Sequence, residues 1–369
     1  MDPSDFFTDS ALMSPDIVKT AHYTRRSYVI PASQPKPGDT SVRHGLGSQL
    51  RLAAHEYLVA GANDGGHTII LTHGTSFNKY FWGLVIEYIL STPGVKPAVK
   101  RLIAIDAANH GDSAVLNRGI LPSKACWPDD SRDILHTLEY FNAQQPVIGI
   151  GHSFGGGAMC HAAMMKPDAF VATIFVEPIL FQMKEQTEAV AQKALRRRDR
   201  WESTDAMRSG FSRGFKDWDK RQLDVFLEQG VIPLLQDGRP SVWALKTPKE
   251  QEASCYETGQ ATYLAAPHPQ ILDLLQRSKQ RHHFIWGSES IVIPHGDIPL
   301  LTVDSFDSSE ENRRLVERMV IPPSTTRVIN GAGHLIPMTH PETLSSILAG
   351  LLRETAPVAR TEIPQRFRL

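Results

Sequence analysis

The five residues Gly151-His152-Ser153-Phe154-Gly155 constrain this chain more than any other segment. They follow Pro146-Val147-Ile148-Gly149-Ile150, a short apolar run with β-branched residues, and precede Gly156-Gly157-Ala158-Met159, which opens a helical stretch. Strand, tight turn and helix are the context in which G-x-S-x-G forms a nucleophile elbow. Side chains two before and two after the serine crowd such a turn, so glycine is wanted at both places. The turn lifts the serine hydroxyl to the end of the strand, open to a base on one side and a carbonyl on the other.

The rest of the chain alternates strands with helices. Residues 1 to about 24 show no clear period and read as an N-terminal arm. Segments 27–30, 50–57, 67–72, 102–106, 171–176, 283–287 and 326–329 read as strands, and 81–90, 129–141, 155–166 and 341–352 as helices. Segment 33–47, rich in glycine and proline, reads as a loop. This alternation predicts an α/β fold, a mostly parallel central sheet with helices on both faces. Residues 178–280 break the rhythm: they are polar, Arg- and Gln-rich and helical in pattern, with Trp201, Trp218 and Trp243 scattered through them. About 100 residues between two core strands are too many for a simple loop, so the segment reads as a helical lid. The expected organisation is then an N-terminal arm and first core part at 1–177, a lid at 178–280, and a second core part with a C-terminal tail at 281–369.

Ser153 as a nucleophile needs a base, an orienter for the base, and donors for the oxyanion. His334 is the base candidate, because its Gly331-Ala332-Gly333-His334 loop follows the last strand and lets the backbone swing an imidazole over the sheet edge. Thr72-His73-Gly74-Thr75-Ser76 follows a buried strand in the manner of an HG-type oxyanion motif. The expected donors are the N–H groups of Thr75, with Ser76 second to it, and of Phe154, which sits at a helix N-terminus where the dipole favours negative charge. The acid is less direct. Where a W-G-x-x-D pattern would end in aspartate, the chain reads Trp286-Gly287-Ser288-Glu289-Ser290. A serine carries no charge to stabilise an imidazolium, and Glu289 is one residue off register. Glu177, ending the strand after the elbow helix in Phe175-Val176-Glu177-Pro178, is the preferred acid, with Glu289 the alternative. A carboxylate at the end of a buried strand is costly unless paired, and the order Ser…Glu…His fits the α/β-hydrolase chain order.

The core thus resembles the α/β-hydrolase superfamily, and longer segments narrow the likeness. His73-Gly74-Thr75-Ser76-Phe77-Asn78-Lys79 with Trp82, and Asp106-Ala107-Ala108-Asn109-His110-Gly111-Asp112-Ser113-Ala114 with Asn117, resemble fungal hydrolases of the peroxisomal-lipase and toxin-cluster type. Trp243-Ala244-Leu245-Lys246-Thr247-Pro248 with Glu252 and Tyr256 is similar to a lid segment of that group. The resemblance, which extends to the acyl-CoA hydrolase of mycophenolic acid biosynthesis, implies an acid at Glu177, ester or acyl-thioester substrates, a place in fungal secondary metabolism and peroxisomal residence.

Composition bounds the partners. With 39 basic against 40 acidic residues, the formal charge of −1 gives no general attraction to nucleic acid or anionic membrane. The three cysteines, Cys126, Cys160 and Cys255, lack metal-ligand spacing and point to a reducing compartment. No stretch approaches the roughly 18 apolar residues of a membrane span, and the acidic start is unlike a secretory signal. The terminal Phe367-Arg368-Leu369 matches a peroxisomal S-K-L signal at its last two positions and departs at the first, so the expectation is an intracellular protein of peroxisome or cytoplasm. The expected activity is hydrolysis of an ester, acyl thioester or lactone through an acyl-enzyme, without metal or organic cofactor, on a small-molecule acyl substrate. A lyase or carbon–carbon bond-forming step on the same scaffold is the alternative, and an inactive binding protein a third reading. His73, His152 and Trp243 are candidate substrate-binding residues. Arg196-Arg197-Arg198 with Arg200 reads as a solvated helix face, with binding of CoA phosphates the alternative. The His110-Gly111-Asp112-Ser113 loop reads as held by hydrogen bonds of Asn109 and Asp112.

Overall fold

The three strands at the centre of the sheet, β4 (His67–Thr72), β6 (Val147–His152) and β7 (Ala172–Val176), are buried at every residue, as apolar runs covered on both faces must be. The computed structural model describes residues 17–34, 50–180, 184–236, 239–259, 278–290 and 324–355. The terminal tripeptide and most of the loop expected at 33–47 lie outside them. Further strands are β1 (Ile17–Lys19), β2 (Tyr23–Pro31), β3 (Arg51–Val59), β5 (Val99–Ile105), β11 (Arg281–Gly287) and β12 (Thr326–Ile329). Among the described residues these nine form one sheet in the order β1-β2-β3-β5-β4-β6-β7-β11-β12. From β5 to β12 every pairing is parallel, and β1, β2 and β3 extend the sheet antiparallel. The expected arm therefore supplies β1 and the start of β2.

Alternation along the strands feeds two cores. Ile70, Ile103 and Phe175 point to one face, where Trp127, Ile134 and Leu138 of α3 (Trp127–Tyr140) and Ala158 and Met159 of α4 (Phe154–Met165) cover them. Ile69, Leu71, Leu102, Ile150 and Ile174 point to the other, beneath α1 (Trp82–Ser91) and α10 (Pro341–Thr355). The order reverses at β4, with β5 on one side and β6 on the other, and this is the place where open α/β sheets leave a crevice at the carboxyl ends of their strands.

The segment expected to be a helical lid is mixed. It holds α5 (Lys184–Arg196), α6 (Thr204–Gly214), α7 (Lys220–Gln229) and α8 (Lys249–Ser254). It also holds a three-stranded antiparallel sheet of β8 (Arg200–Trp201), β10 (Arg239–Leu245) and β9 (Val231–Gln236). The sequence signal was present: Asp237-Gly238 between two apolar runs is a strong hairpin cue, and Gln236 pairs with Arg239 across it. Trp201, Trp218 and Phe226 gather with Phe77, Phe81 and Met338 into an aromatic cluster, with Phe215 and Trp218 stacked 4.2 Å apart. Phe77 and Phe81 belong to the segment after β4, and Met338 to α9 (Ile336–Thr339) beyond His334. The inserted segment is thereby packed on the loops that border the crevice.

Candidate active site

Ser153 sits between β6 and α4 with φ 54° and ψ −121°, a conformation that costs on the order of 1–3 kcal/mol and persists only where the surroundings enforce it. They do so through three main-chain bonds: Ser153 N–H to Val176 O (3.0 Å), Gly157 N–H to Ser153 O (3.0 Å) and Ile179 N–H to Ser153 O (3.2 Å). The glycines are sterically required. A Cβ on Gly151 would stand 2.5 Å from Gly155 O, and one on Gly155 would strike the His73 carbonyl.

His334 reaches this hydroxyl from the loop after β12. Its Nε2 lies 2.9 Å from Ser153 Oγ, and its Nδ1 lies 3.1 Å from Glu177 Oε2. A carboxylate accepts only, so Nδ1 carries the proton and Nε2 is left bare toward the serine. Glu177 is fully buried and, like Ser153, has a positive φ (50°). Its main-chain N–H continues the β7–β11 pairing to Ile285 O (2.9 Å), while its side chain turns to the imidazole. Gly287 N–H donates to Oε1 at 2.5 Å, and the Ser290 hydroxyl donates to Oε2. These donors offset the desolvation of a buried carboxylate. Ser290, at the position where the W-G-x-x-D pattern has its acid, thus serves as a donor to Glu177. Glu289, the alternative acid, is exposed.

The loop after β4 approaches from the other side. A Cβ on Gly74 would lie 2.7 Å from His152 Nδ1 and 3.1 Å from Ser153 Cβ, so only glycine lets the loop close on Ser153. Phe77 N–H bonds Gly74 O (3.2 Å), closing a turn whose third residue, Ser76, has φ 78°. Thr75 is buried within this turn, and Phe154, as the first residue of α4, contributes one of the N–H groups that a helix start leaves without an intrahelical partner.

His73, His152 and Trp243, the candidate substrate contacts, each have partners within the protein. His73 Nε2 accepts from Ala107 N–H (3.1 Å), so its Nδ1–H donates to Gly74 O (2.8 Å), and burial holds its pKa low. Both ring nitrogens are committed to main chain. His152 Nε2 donates to His334 O (3.0 Å), tying the elbow to the loop that carries His334. Burial, and then the neighbouring His334, push its pKa down to about 3, so it stays neutral. Trp243 pairs in register with Trp201 and packs on the aromatic cluster.

Sequence reasoning missed a buried ionic cluster beside the loop. Lys79 Nζ contacts Asp106 Oδ2 (2.9 Å) and Asp112 Oδ2 (2.5 Å), and Lys246 Nζ reaches Asp112 Oδ1 (2.7 Å). Burial opposes ionisation of Lys79, but Asp106 and Asp112 outweigh it and raise its pKa. Burial likewise disfavours the Asp112 carboxylate, yet Lys79 and Lys246 hold its pKa well below the usual range. Two cations and two carboxylates balance, joining the post-β4 segment, the end of β5, α2 (Gly111–Leu116) and the inserted segment. The loop at His110 is held as expected from Asn109 and Asp112: Asn109 Oδ1 accepts from His110 Nδ1 (2.6 Å), and Asp112 N–H donates to Asp106 Oδ2 (2.8 Å). Of the arginine run, Arg197 pairs with Glu252, Arg198 donates to Arg200 O (2.7 Å) and lies over Trp201, and Arg196 is exposed. Among the described residues no group of three or more His, Cys, Asp or Glu is placed to hold a metal ion, and no helix is long and apolar enough to cross a membrane.

A parallel sheet with an antiparallel flank, a serine elbow after the central strand and a histidine after the last one define an α/β-hydrolase architecture. Residues 69–347 match the alpha/beta hydrolase family, and the chain belongs to it. Over 122 residues it is 31% identical to the peroxisomal membrane protein LPX1 of Saccharomyces cerevisiae, covering 31% of this chain and 32% of that protein. Over 281 residues it is 24% identical to the type I acyl-CoA thioesterase mpaH of Penicillium roqueforti, covering 73% and 64%. The matches thus span less than two thirds of either relative's length. The solved structure of the peroxisomal alpha-beta-hydrolase Lpx1 from Saccharomyces cerevisiae superposes with a TM-score of 0.72 over 92% of both chains at 19% identity.

Proposed function

We propose that this chain is a serine hydrolase that cleaves an acyl thioester or ester through an acyl-enzyme. One observation carries the reading: the continuous hydrogen-bond chain from the buried Glu177 carboxylate through His334 to Ser153, with the acceptor nitrogen of the imidazole facing the hydroxyl. In this mechanism His334 Nε2 takes the proton as Ser153 Oγ attacks the acyl carbon. Glu177 holds the ring in the required tautomer and stabilises the imidazolium. The Thr75 and Phe154 N–H groups receive the oxyanion, each such donor being worth about 2.7–4 kcal/mol in the transition state. His334 then protonates the departing thiolate or alkoxide, and water, activated by the same base, releases the acid. The inserted segment acts as the lid, and its side chains select the acyl group. The printed name of the Penicillium relative supports a CoA thioester as the first substrate class to try. That of the yeast relative supports peroxisomal over cytoplasmic residence.

The test pairs labelling with product analysis. A fluorophosphonate probe should label the wild-type protein and not Ser153→Ala, and turnover of an acyl-CoA series should be lost with the same substitution. Mass spectrometry in isotopically heavy water should find one heavy oxygen in the acid product. A product formed without incorporation of water would instead mark a lyase and overturn the hydrolytic reading.

A further inference from the structure

Ser76 is the corner of the turn that carries Thr75, and its φ of 78° lies in a region that residues other than glycine rarely adopt. Besides the Phe77–Gly74 main-chain bond that closes the turn, a side-chain bond to this corner comes from the inserted segment. Ser76 Oγ donates to Glu252 Oε1 on α8 at 2.6 Å. Glu252 is only 4% exposed, and its Oε2 pairs with the guanidinium of Arg197, one residue past α5. Two further contacts reach the same turn: Tyr256 OH stands 3.5 Å from Ser76 Oγ, and Cys255 Sγ 3.5 Å from Thr75 Oγ1. Beneath them Ala191 and Ala194 of α5 pack on Ala253 and Tyr256. A hydroxyl donating to an ionised carboxylate makes a short bond, roughly twice as strong as a neutral one. That carboxylate would be costly to bury without its arginine.

We propose that Glu252 is a positioning residue for the oxyanion hole: by fixing the Ser76 corner, with Arg197 fixing Glu252 in turn, it aims the Thr75 N–H at the reacting carbonyl. The loop is then competent for catalysis only when the inserted segment is seated, which couples lid closure to oxyanion stabilisation. This inference rests on the hydrolase reading above.

The test measures kcat, KM and the Ki of an aryl trifluoromethyl ketone, which forms a tetrahedral adduct at the serine, for wild type and the variants named below. Glu252→Ala and Ser76→Ala should each lower kcat by about 10- to 100-fold with KM within about 3-fold, since a misplacement near 1 Å can cost that much. The ketone Ki should rise by a similar factor, because the lost interaction belongs to the transition state. Glu252→Gln, which still accepts from the hydroxyl, should lose less than Glu252→Ala. Ser76→Gly, which tolerates the positive φ, should lose less than Ser76→Ala, and adding Glu252→Ala to it should change little. If Glu252→Ala does not fold, Glu252→Gln and the two Ser76 variants decide. An active wild type whose Glu252 and Ser76 variants keep kcat within about 2-fold, or change KM alone, overturns the inference and leaves the hydrolase reading standing. A wild type with neither serine labelling nor turnover overturns both.

Discussion

Replacing Glu177 by glutamine should cost about four orders of magnitude in kcat, and the geometry says why. The Gly287 N–H, 2.5 Å from Oε1, is a fixed donor, so the amide oxygen of the new side chain must occupy that place. Its NH2 group then replaces Oε2 and faces His334 Nδ1 and the Ser290 hydroxyl. An amide N–H donating to Nδ1 forces the imidazole proton onto Nε2, 2.9 Å from Ser153 Oγ, where a bare acceptor is needed. The wrong tautomer in a triad otherwise intact lowers kcat by about 10⁴, which corresponds to roughly 5.5 kcal/mol of transition-state stabilisation. Thiol release from an acyl-CoA, followed with a thiol reagent, would measure it, with circular dichroism checking that the fold is kept. Glu289→Gln, on an exposed side chain, should change kcat less than about 2-fold. If Glu177→Gln keeps more than about a tenth of kcat, or Glu289→Gln is the damaging change, the acid assignment is wrong.

Three other predictions concern the scaffold. Lys246→Met removes one cation from the buried Asp112 site and should destabilise the protein by about 3 kcal/mol in denaturant titrations; no change would mean that the cluster does not tie the inserted segment to the core. Stability should fall as pH drops from about 6.5 toward 4. Burial holds His152 to about 3 and His282 and His283 to about 4, so over this range the unfolded chain binds protons that the folded one refuses. His152 alone contributes a slope approaching roughly 1.4 kcal/mol per pH unit, and a urea midpoint that is flat between pH 6.5 and 4.5 would refute this. Gly151→Ala places a Cβ 2.5 Å from Gly155 O and should lower kcat at least about 100-fold by displacing the serine; near-normal kinetics would show that the elbow is not so tightly packed.

The core was legible because its signals are local. The run at 67–72 and that at 326–329 coincide with β4 and β12 residue for residue. β4 is a continuous buried run, as a strand covered on both faces must be, whereas β12, at the sheet edge with Arg327 and Val328 exposed, is marked by its β-branched Thr326, Val328 and Ile329. Helix ends differ by one to three residues at most sites, as fraying makes usual. The inserted segment was harder to read. Its apolar residues pack on one another as well as on Phe77 and Phe81 of the core, and the helical pattern of the flanking segments hid the β9–β10 hairpin in spite of the Asp237-Gly238 cue.

For the site, the sequence by itself determined which groups were available: a serine in an elbow, a histidine after the last strand, a glycine-rich approach to both, and two glutamates in competition. Only the tertiary structure decided which carboxylate comes within reach of His334. That depends on a positive φ at Glu177, on the parallel pairing of β7 with β11, and on Gly287 and Ser290 arriving as donors from a segment 110 positions away. The same holds for the lysine–aspartate cluster and for Ser76 with Glu252, whose partners lie on different elements. A hydrogen bond needs a distance and a direction, and a linear pattern supplies neither until the sheet has brought its strand ends to one edge.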